Sequence, residues 1–366
     1  MKASHRSLLA IVAGAALLAA SCATGAGLMK AGAAAPGPGE TAYRPACVLV
    51  EDVRADRDGV RVRWLSDYVP GLRDGPGDSA VYIIDSGLPG GTLLVVGGTH
   101  ANEIAGMTAA TMLAERARPT KGRLIVIPHL NSSGLSYGDA DNPRPSWIRL
   151  EAASGVRYLR YGSRFVHPIH QGQTDPARYL LPGGLESLPG EEQRNINRAY
   201  PGLAEGNLTQ MVAAAVMAML NEERVDVAVD MHEAKPASKL RWMIVSNPKC
   251  LDVAIGAIFA LEDEGIDMKL DRSSPEFRGL SHREWGDGSG AAAFLVETVN
   301  PAQAAGVPVD QLRDPEFPLW KRVAVQLEAL RAIADAYGAA FPEGEVRYDG
   351  VPGYAELEAR GLEAFF

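Results

Sequence analysis

The chain has 366 residues, of which 46% are hydrophobic and 22% are charged. These proportions are typical of a soluble globular protein, and the length suits one large domain or two small ones. The formal net charge of −9 argues against nucleic acid or an anionic membrane surface as a partner, because both repel a negatively charged protein.

The N-terminus has the layout of an export signal. Lys2 and Arg6 precede an apolar run over residues 8–20, which is too short for a transmembrane helix. We therefore predict a signal peptide over residues 1–22. Residues 23–40 are rich in Gly, Ala and Pro and predict a flexible linker.

The end of this signal allows two kinds of processing. The segment Leu18-Ala19-Ala20-Ser21-Cys22 resembles a bacterial lipobox, although Ala19 stands where leucine is commonest. A lipidated Cys22 would attach the protein to a membrane, whereas simple cleavage after Ala23 would release it. In both cases we expect an exported protein, either periplasmic or anchored as a lipoprotein.

The chain contains three cysteines, Cys22, Cys47 and Cys250. In an exported protein Cys47 and Cys250 could form a disulfide, and the sequence leaves this open. Because no Cys-x-x-Cys pattern is present, we do not expect a thiolate zinc site.

The predicted elements change character at residue 92. Before it, short β-rich pieces at 47–53, 60–64 and 80–84 are separated by turn signals. After it, strands alternate with helices; the predicted strands are 93–96, 124–127, 225–229, 242–245 and 291–296, and the predicted helices are 103–116, 208–220, 251–264 and 318–337. This alternation predicts an α/β fold with a mixed, mostly parallel sheet flanked by helices.

One hydrolase domain is expected over residues 41–340, followed by a C-terminal tail over 341–366. Inside the domain, residues 131–200 are polar, rich in Pro, Gly and Arg, and show little periodicity. A segment of that length without regular structure is usually functional.

Residues able to bind a metal follow three of the predicted strands. His100 and Glu103 follow strand 93–96, His232 follows 225–229, and Glu297 follows 291–296. Since ligands bind outside the carboxyl ends of strands in open α/β sheets, these side chains should converge. Two histidines and one carboxylate suit catalytic zinc, with a fourth position left for water.

Glu297 is then the candidate general base for the metal-bound water, whose pKa zinc lowers toward about 7. Asp230 is a candidate to support His232 from behind. Each residue also has an ordinary alternative: a helix-surface pair, a buried histidine or a salt-bridged glutamate. Their shared position at strand ends favours the catalytic interpretation.

A further segment indicates which charged group the substrate carries. Asn197 and Arg198 offer an amide and a planar fork of donors, which together suit a carboxylate. The alternative is an arginine on a surface loop.

Several segments together resemble the succinylglutamate desuccinylase/aspartoacylase branch of the zinc carboxypeptidases. The resemblance covers residues 82–300 and rests on five segments: Gly97-Gly98-Thr99-His100-Ala101-Asn102-Glu103, Pro128-His129-Leu130-Asn131, Asn195-Ile196-Asn197-Arg198, Asp230-Met231-His232 and Glu297-Thr298. It implies one zinc ion per chain on His100, Glu103 and His232, with Glu297 as the base.

The resemblance also implies that Asn197 and Arg198 hold the substrate carboxylate, and that another arginine stabilises the oxyanion. The candidates for that arginine are Arg144, Arg149, Arg178 and Arg194, of which we favour Arg178.

The sequence departs from the family pattern at two places, with Ala101 for glycine and Asn195 for aspartate. The run of residues 280–286 is a separate oddity, dense in donors, which predicts a specificity wall, a proton donor or an ordinary polar loop.

The expected function is zinc-dependent hydrolysis of an amide bond adjacent to a free carboxylate, as in an N-acyl amino acid deacylase. Two alternatives remain: an exported metallocarboxypeptidase acting on peptides, and a non-catalytic binding lipoprotein.

Overall fold

The computed structural model describes residues 52–138, 146–184, 186–303 and 309–366. These residues belong to one compact unit that spans residues 47–366. The predicted signal peptide and linker lie outside the described residues, as do Cys22 and Cys47. Cys250 is buried and has no disulfide partner among the described residues, so the pairing with Cys47 that the sequence allows stays a prediction.

Strands and helices alternate through most of this unit. In chain order, the described strands are β1 Val60–Trp64, β2 Ala80–Asp85, β3 Thr92–Gly97, β4 Arg118–Lys121, β5 Arg123–Ile127, β6 Ser146–Ala152, β7 Gly155–Tyr161, β8 Arg178–Leu180, β9 Ser187–Pro189, β10 Val227–Ala234, β11 Met243–Ser246, β12 Lys269–Arg272, β13 Ala292–Val299 and β14 Arg347–Asp349. The described α-helices are α1 Ile104–Arg116, α2 Pro168–Gln171, α3 Leu208–Glu222, α4 Leu251–Asp263, α5 Ser281–Gly288, α6 Leu319–Ala340 and α7 Tyr354–Arg360.

Eight of these strands form the central sheet, in the order β1-β2-β5-β3-β10-β13-β11-β12. Four neighbouring pairs are parallel and three are antiparallel. The predicted fold class, a mixed and mostly parallel sheet flanked by helices, is confirmed.

Helices cover both faces of the sheet because its central strands are apolar on both sides. On β3, Leu93 and Val95 belong to the core shared with α1, α4 and α6. Leu94 and Val96 belong to the core shared with α3 and α5. The alternation along one strand therefore builds two separate cores, one above and one below the sheet.

The two strands that carry the candidate ligand His232 and the candidate base Glu297 are longer than predicted. β10 runs to Ala234 and β13 to Val299, so both residues lie within strands rather than after them. The prediction ended each strand where its apolar run ended. The two strands instead stay paired through their polar ends, with His232 directly opposite Glu297.

Two segments for which the sequence predicted no helix or strand contain regular structure. Residues 131–200 hold two β-hairpins, β6–β7 and β8–β9, and the short helix α2. The expected tail, 341–366, contributes β14, which pairs with β4, and buries Leu357, Phe365 and Phe366 in the core. It is part of the same compact unit.

A buried ion pair fastens the end of β10 to the long helix α6. Arg322 Nη1 lies 2.6 Å from Glu233 Oε1, and both side chains are fully buried. One turn further along α6, Gln326 Nε2 donates to the carbonyl oxygen of His232 at 2.7 Å. These contacts fix the backbone of β10 at His232, near the C-terminal end of the strand.

Among the described residues, none of the helices combines the length and the apolar character needed for a membrane span.

Removing one partner of the buried ion pair should destabilise the folded protein. We expect Arg322→Met to lower the free energy of unfolding by about 3–5 kcal/mol, because the Glu233 charge would stay buried without its partner. Urea unfolding of the purified protein measures this loss. The double variant Arg322→Met/Glu233→Gln should recover part of it, and the exposed Arg313→Met serves as control. A loss as small as that of Arg313→Met would contradict the assigned role.

Candidate active site

The turn after β3 brings His100 and Glu103 together. Gly98 has a φ of +68°, a left-handed conformation that glycine adopts without strain, and this reverses the chain at the strand end. Helix α1 begins immediately after Glu103. As a result His100 Nδ1 lies 2.8 Å from Glu103 Oε1.

His232 completes the cluster from the neighbouring strand β10. Its Nδ1 lies 2.9 Å from Glu103 Oε2 and 3.2 Å from His100 Nδ1. All three residues are buried, and one ligand atom from each lies within 4.8 Å of the others. The three predicted metal ligands are thus in one place.

The second nitrogen of each imidazole faces an oxygen. His100 Nε2 lies 3.0 Å from Asn195 Oδ1, and His232 Nε2 lies 2.8 Å from Asp230 Oδ2. These oxygens favour a proton on Nε2 of each ring, so the lone pair of each neutral ring is on Nδ1. Asp230 is itself held by Thr99 Oγ1 at 2.7 Å.

Two lone pairs and a carboxylate at such distances repel one another unless a proton or a metal ion lies among them. Burial lowers the pKa of His100 to about 4, with a contribution from Arg164. Burial also opposes the charged form of His232, but Asp230 and Glu103 raise its pKa well above the usual value. The donor set fits a metal ion, which would supply the positive charge that the cluster attracts.

Glu297 lies beside this cluster, opposite His232 on the adjacent strand. Its Oε2 is buried and has no hydrogen-bond partner within the part of the chain that the structure describes. Burial, followed by the negative charge of Glu103, raises the pKa of Glu297 to about 8. A buried carboxyl group with an unsatisfied oxygen and a perturbed pKa is typical of a proton-transfer group.

Among the described arginines, Arg164 is the one that contacts the candidate ligands, and the sequence did not point to it. Its Nη1 lies 3.2 Å from His100 Nδ1 and 3.5 Å from Glu103 Oε1. The preceding Gly162 donates its N–H to Ala101 O at 2.7 Å, which docks this strand end against the His100 turn. A Cβ on Gly162 would come within 2.1 Å of Gly134 O, so this position requires glycine. That glycine was the feature of the sequence that could have drawn attention to the segment carrying Arg164.

Asn197 and Arg198 lie on a short 3-10 helix, Ile196–Arg198, that follows the β8–β9 hairpin. Asn197 Oδ1 accepts the N–H of Ser281 at 2.7 Å, which joins this segment to the start of α5. Burial, followed by the charge of Arg164, lowers the pKa of Arg198. The positive charges of Arg164 and Arg198 therefore oppose each other, and a bound anion would offset part of that repulsion.

The donor-rich run at 280–286 forms the start of helix α5 and is not a loop. His282, the second residue of α5, is buried, and its Nδ1 lies 2.9 Å from Ser273 Oγ. Burial, followed by the charge of His232, lowers the pKa of His282 to about 3. The run thus places a neutral imidazole near the metal ligands.

The arginines chosen from the sequence have other partners. In β8, Tyr179 donates its hydroxyl to Arg198 O, whereas Arg178 is exposed and donates to Ser187 on the neighbouring strand. Successive strand residues face opposite ways, so Arg178 points away from Arg198. Arg194 pairs with Asp175, Arg149 is exposed beside Glu151, and Arg144 lies outside the described residues.

The chain matches a known family over more than half of its length. The model of the succinylglutamate desuccinylase/aspartoacylase catalytic domain matches residues 89–298, which include all three ligands and Glu297. No curated protein is similar enough to match the chain.

Solved structures with a related fold include two bacterial proteins of similar coverage. A succinylglutamate desuccinylase/aspartoacylase from Rhodobacter sphaeroides is 18% identical, covers 78% of this chain and 69% of its own, and has a TM-score of 0.43. The product-bound ectoine utilization protein EutE (DoeB) from Ruegeria pomeroyi is 18% identical, covers 78% and 70%, and has a TM-score of 0.44.

A third, the tripeptide-bound cell shape determinant Csd4 from Helicobacter pylori, is 13% identical with a TM-score of 0.45. The match covers 74% of this chain and 55% of Csd4. At these identities the structural likenesses say nothing about the substrate of this protein. The family match stands independently of them: the chain belongs to the succinylglutamate desuccinylase/aspartoacylase catalytic domain family, whose members are hydrolases.

Proposed function

We propose that this protein is a zinc-dependent hydrolase that cleaves an amide bond next to a free carboxylate, with N-acyl amino acids as substrates. The proposal rests on one juxtaposition. A cluster of acceptors that attracts a cation lies beside two neighbouring guanidinium groups that attract an anion. A metal-dependent hydrolase for carboxylate-bearing amides needs both features in one site.

His100, Glu103 and His232 would hold the zinc ion through two imidazole nitrogens and one carboxylate. Three protein ligands are typical of catalytic rather than structural zinc. When bound, zinc lowers the pKa of water toward about 7 and polarises the substrate carbonyl. Asn195 and Asp230 keep the two imidazoles in the orientation and tautomer that binding requires.

Glu297 would carry the proton. Its unpartnered Oε2 can accept a proton from the attacking water and return it to the leaving nitrogen. The proton that Glu297 accepts from the water is the one that it returns, so the carboxyl group ends the cycle as it began. A cation on the neighbouring ligands favours the ionised form, which is the form that acts first.

Arg164 and Arg198 would each stabilise a different negative charge of the reacting substrate. Arg164 contacts His100 and Glu103, so it is placed to stabilise the oxyanion that develops on the scissile carbonyl. Arg198 and the amide group of Asn197 would bind the substrate carboxylate. This gives Arg164 the role that the sequence suggested for Arg178.

The sequence supports one further candidate within the same chemistry. The predicted export signal favours a carboxypeptidase acting on peptides, and we propose that the mature protein works outside the cytoplasm. A binding lipoprotein without activity is disfavoured, because such a protein has no need for Glu297 beside the ligands. A substrate screen of N-acyl amino acids against peptides with free C-termini separates these functions.

We expect Glu297→Gln to lower kcat by at least about 100-fold, because the proton carrier is lost. Zinc content should stay at one ion per chain, since Glu297 is not a ligand. Steady-state kinetics on the best substrate from the screen, with zinc measured by elemental analysis, test both statements. Wild-type protein should lose activity to a chelator and regain it with zinc. A wild-type chain without zinc, or full activity in Glu297→Gln, would contradict the proposed mechanism.

We expect Arg198→Ala to raise KM by about 10- to 100-fold, which corresponds to the loss of charge-assisted hydrogen bonds to the substrate carboxylate. Zinc content should not change. Arg178→Ala in the same assay tests the arginine favoured from the sequence, and we expect no comparable rise. If KM responds to Arg178 and not to Arg198, the carboxylate is bound elsewhere.

A further inference from the structure

The two candidate histidine ligands are supported by different groups. Behind His232 lies a carboxylate, since Asp230 Oδ2 is 2.8 Å from its Nε2. Behind His100 lies a neutral amide, since Asn195 Oδ1 is 3.0 Å from its Nε2. A carboxylate makes a ligating imidazole a stronger donor than an amide does. Taken alone, Asn195 would therefore leave His100 the weaker of the two ligands.

The amide of Asn195 is itself bonded at both ends. Its Oδ1 accepts from His100 Nε2 and from the N–H of Asn197, the latter at 2.9 Å. Its Nδ2 donates to Glu192 Oε2 at 2.7 Å. Because the backbone N–H of Asn197 can only donate and the Glu192 carboxylate can only accept, these two bonds fix which end of the amide faces His100. Asn195 is fully buried, which strengthens each contact.

We propose that Glu192 is a positioning residue of the metal site, which supplies to His100 through Asn195 the negative charge that Asp230 supplies directly to His232. An anion that accepts from the amide NH₂ polarises the amide and makes its oxygen a better acceptor for His100. The relay His100–Asn195–Glu192 rests on the proposed zinc site.

The same carboxylate also faces the substrate side of the site. Glu192 Oε2 lies 3.6 Å from Arg198 Nε, and Arg198 Nη1 donates to Asn197 O at 2.7 Å. Glu192 thus orients one group that supports a metal ligand and one that would bind the substrate carboxylate. Loss of Glu192 should therefore affect zinc affinity and KM together.

A merely structural role for Glu192 would be to anchor the turn Gly190–Arg194 on which it lies. A double-mutant cycle separates the two roles, because the relay depends on the neutral amide between Glu192 and His100. In Asn195→Asp a carboxylate contacts His100 directly, and Glu192 then faces a like charge. The effect of removing Glu192 should reverse in that background.

The test measures zinc affinity of the full-length protein by competition with a chelating dye. We expect Glu192→Ala to weaken zinc binding about 10-fold or more, within the range typical of groups that support a ligand. Glu192→Gln should weaken it less, because an amide oxygen can still accept from Asn195. In the Asn195→Asp background, Glu192→Ala should strengthen binding or leave it unchanged. Glu191→Ala, one position earlier and exposed, is the matched control.

The outcomes distinguish this inference from the proposed function. Equal losses on removing Glu192 in both backgrounds would overturn the relay and leave an anchoring role. Unchanged zinc affinity in Glu192→Ala would also overturn the relay while leaving the zinc site intact. A wild-type protein that binds no zinc would overturn the proposed function and the relay with it. If Glu192→Ala fails to fold, Glu192→Gln carries the same cycle.

Discussion

The parallel pairing of β3, β10 and β13 is the constraint on which the site depends. The pairing sets the end of β3 beside β10, where Gly97 is opposite Met231, and sets His232 opposite Glu297. Side chains alternate between the faces of a sheet, so a slip of one residue would send His232 or Glu297 to the opposite face. The register therefore determines whether the ligands and the proposed base meet at all.

An ion pair on the opposite face of the sheet holds that register. Glu233, the residue after His232, points toward α6 and pairs with Arg322. A buried ion pair adds little net stability compared with apolar packing of the same volume, but it tolerates very few arrangements. Its value here is geometric, because it ties the strand end that carries His232 to a helix of 22 residues.

The sequence predicted those features of the site that depend only on the strands and on the residues that follow them along the chain. The position of His100 and Glu103 after a strand, and of His232 and Glu297 near the ends of two others, required only strand periodicity and the rule for parallel sheets. Strand ends were misjudged because polar residues that remain in the ladder carry no apolar signal. Arg164 and Glu192 were missed because they come from residues 131–200, whose sequence shows little periodicity, and because contacts between residues far apart in sequence decide which of its side chains face the candidate ligands.

A chain of net charge −9 can hold an anionic substrate because charges act locally in salt solution. Beyond about 8 Å at physiological ionic strength, the charges of an exposed surface are largely screened. Arg164 lies 3.5 Å from Glu103 and Arg198 lies 3.6 Å from Glu192, so each arginine has a carboxylate neighbour well within that distance. Zinc on the acceptor cluster would offset much of that negative charge. The bound metal would thereby make the arginine pair more attractive to a carboxylate, and filling the proposed metal site would also prepare the proposed substrate site.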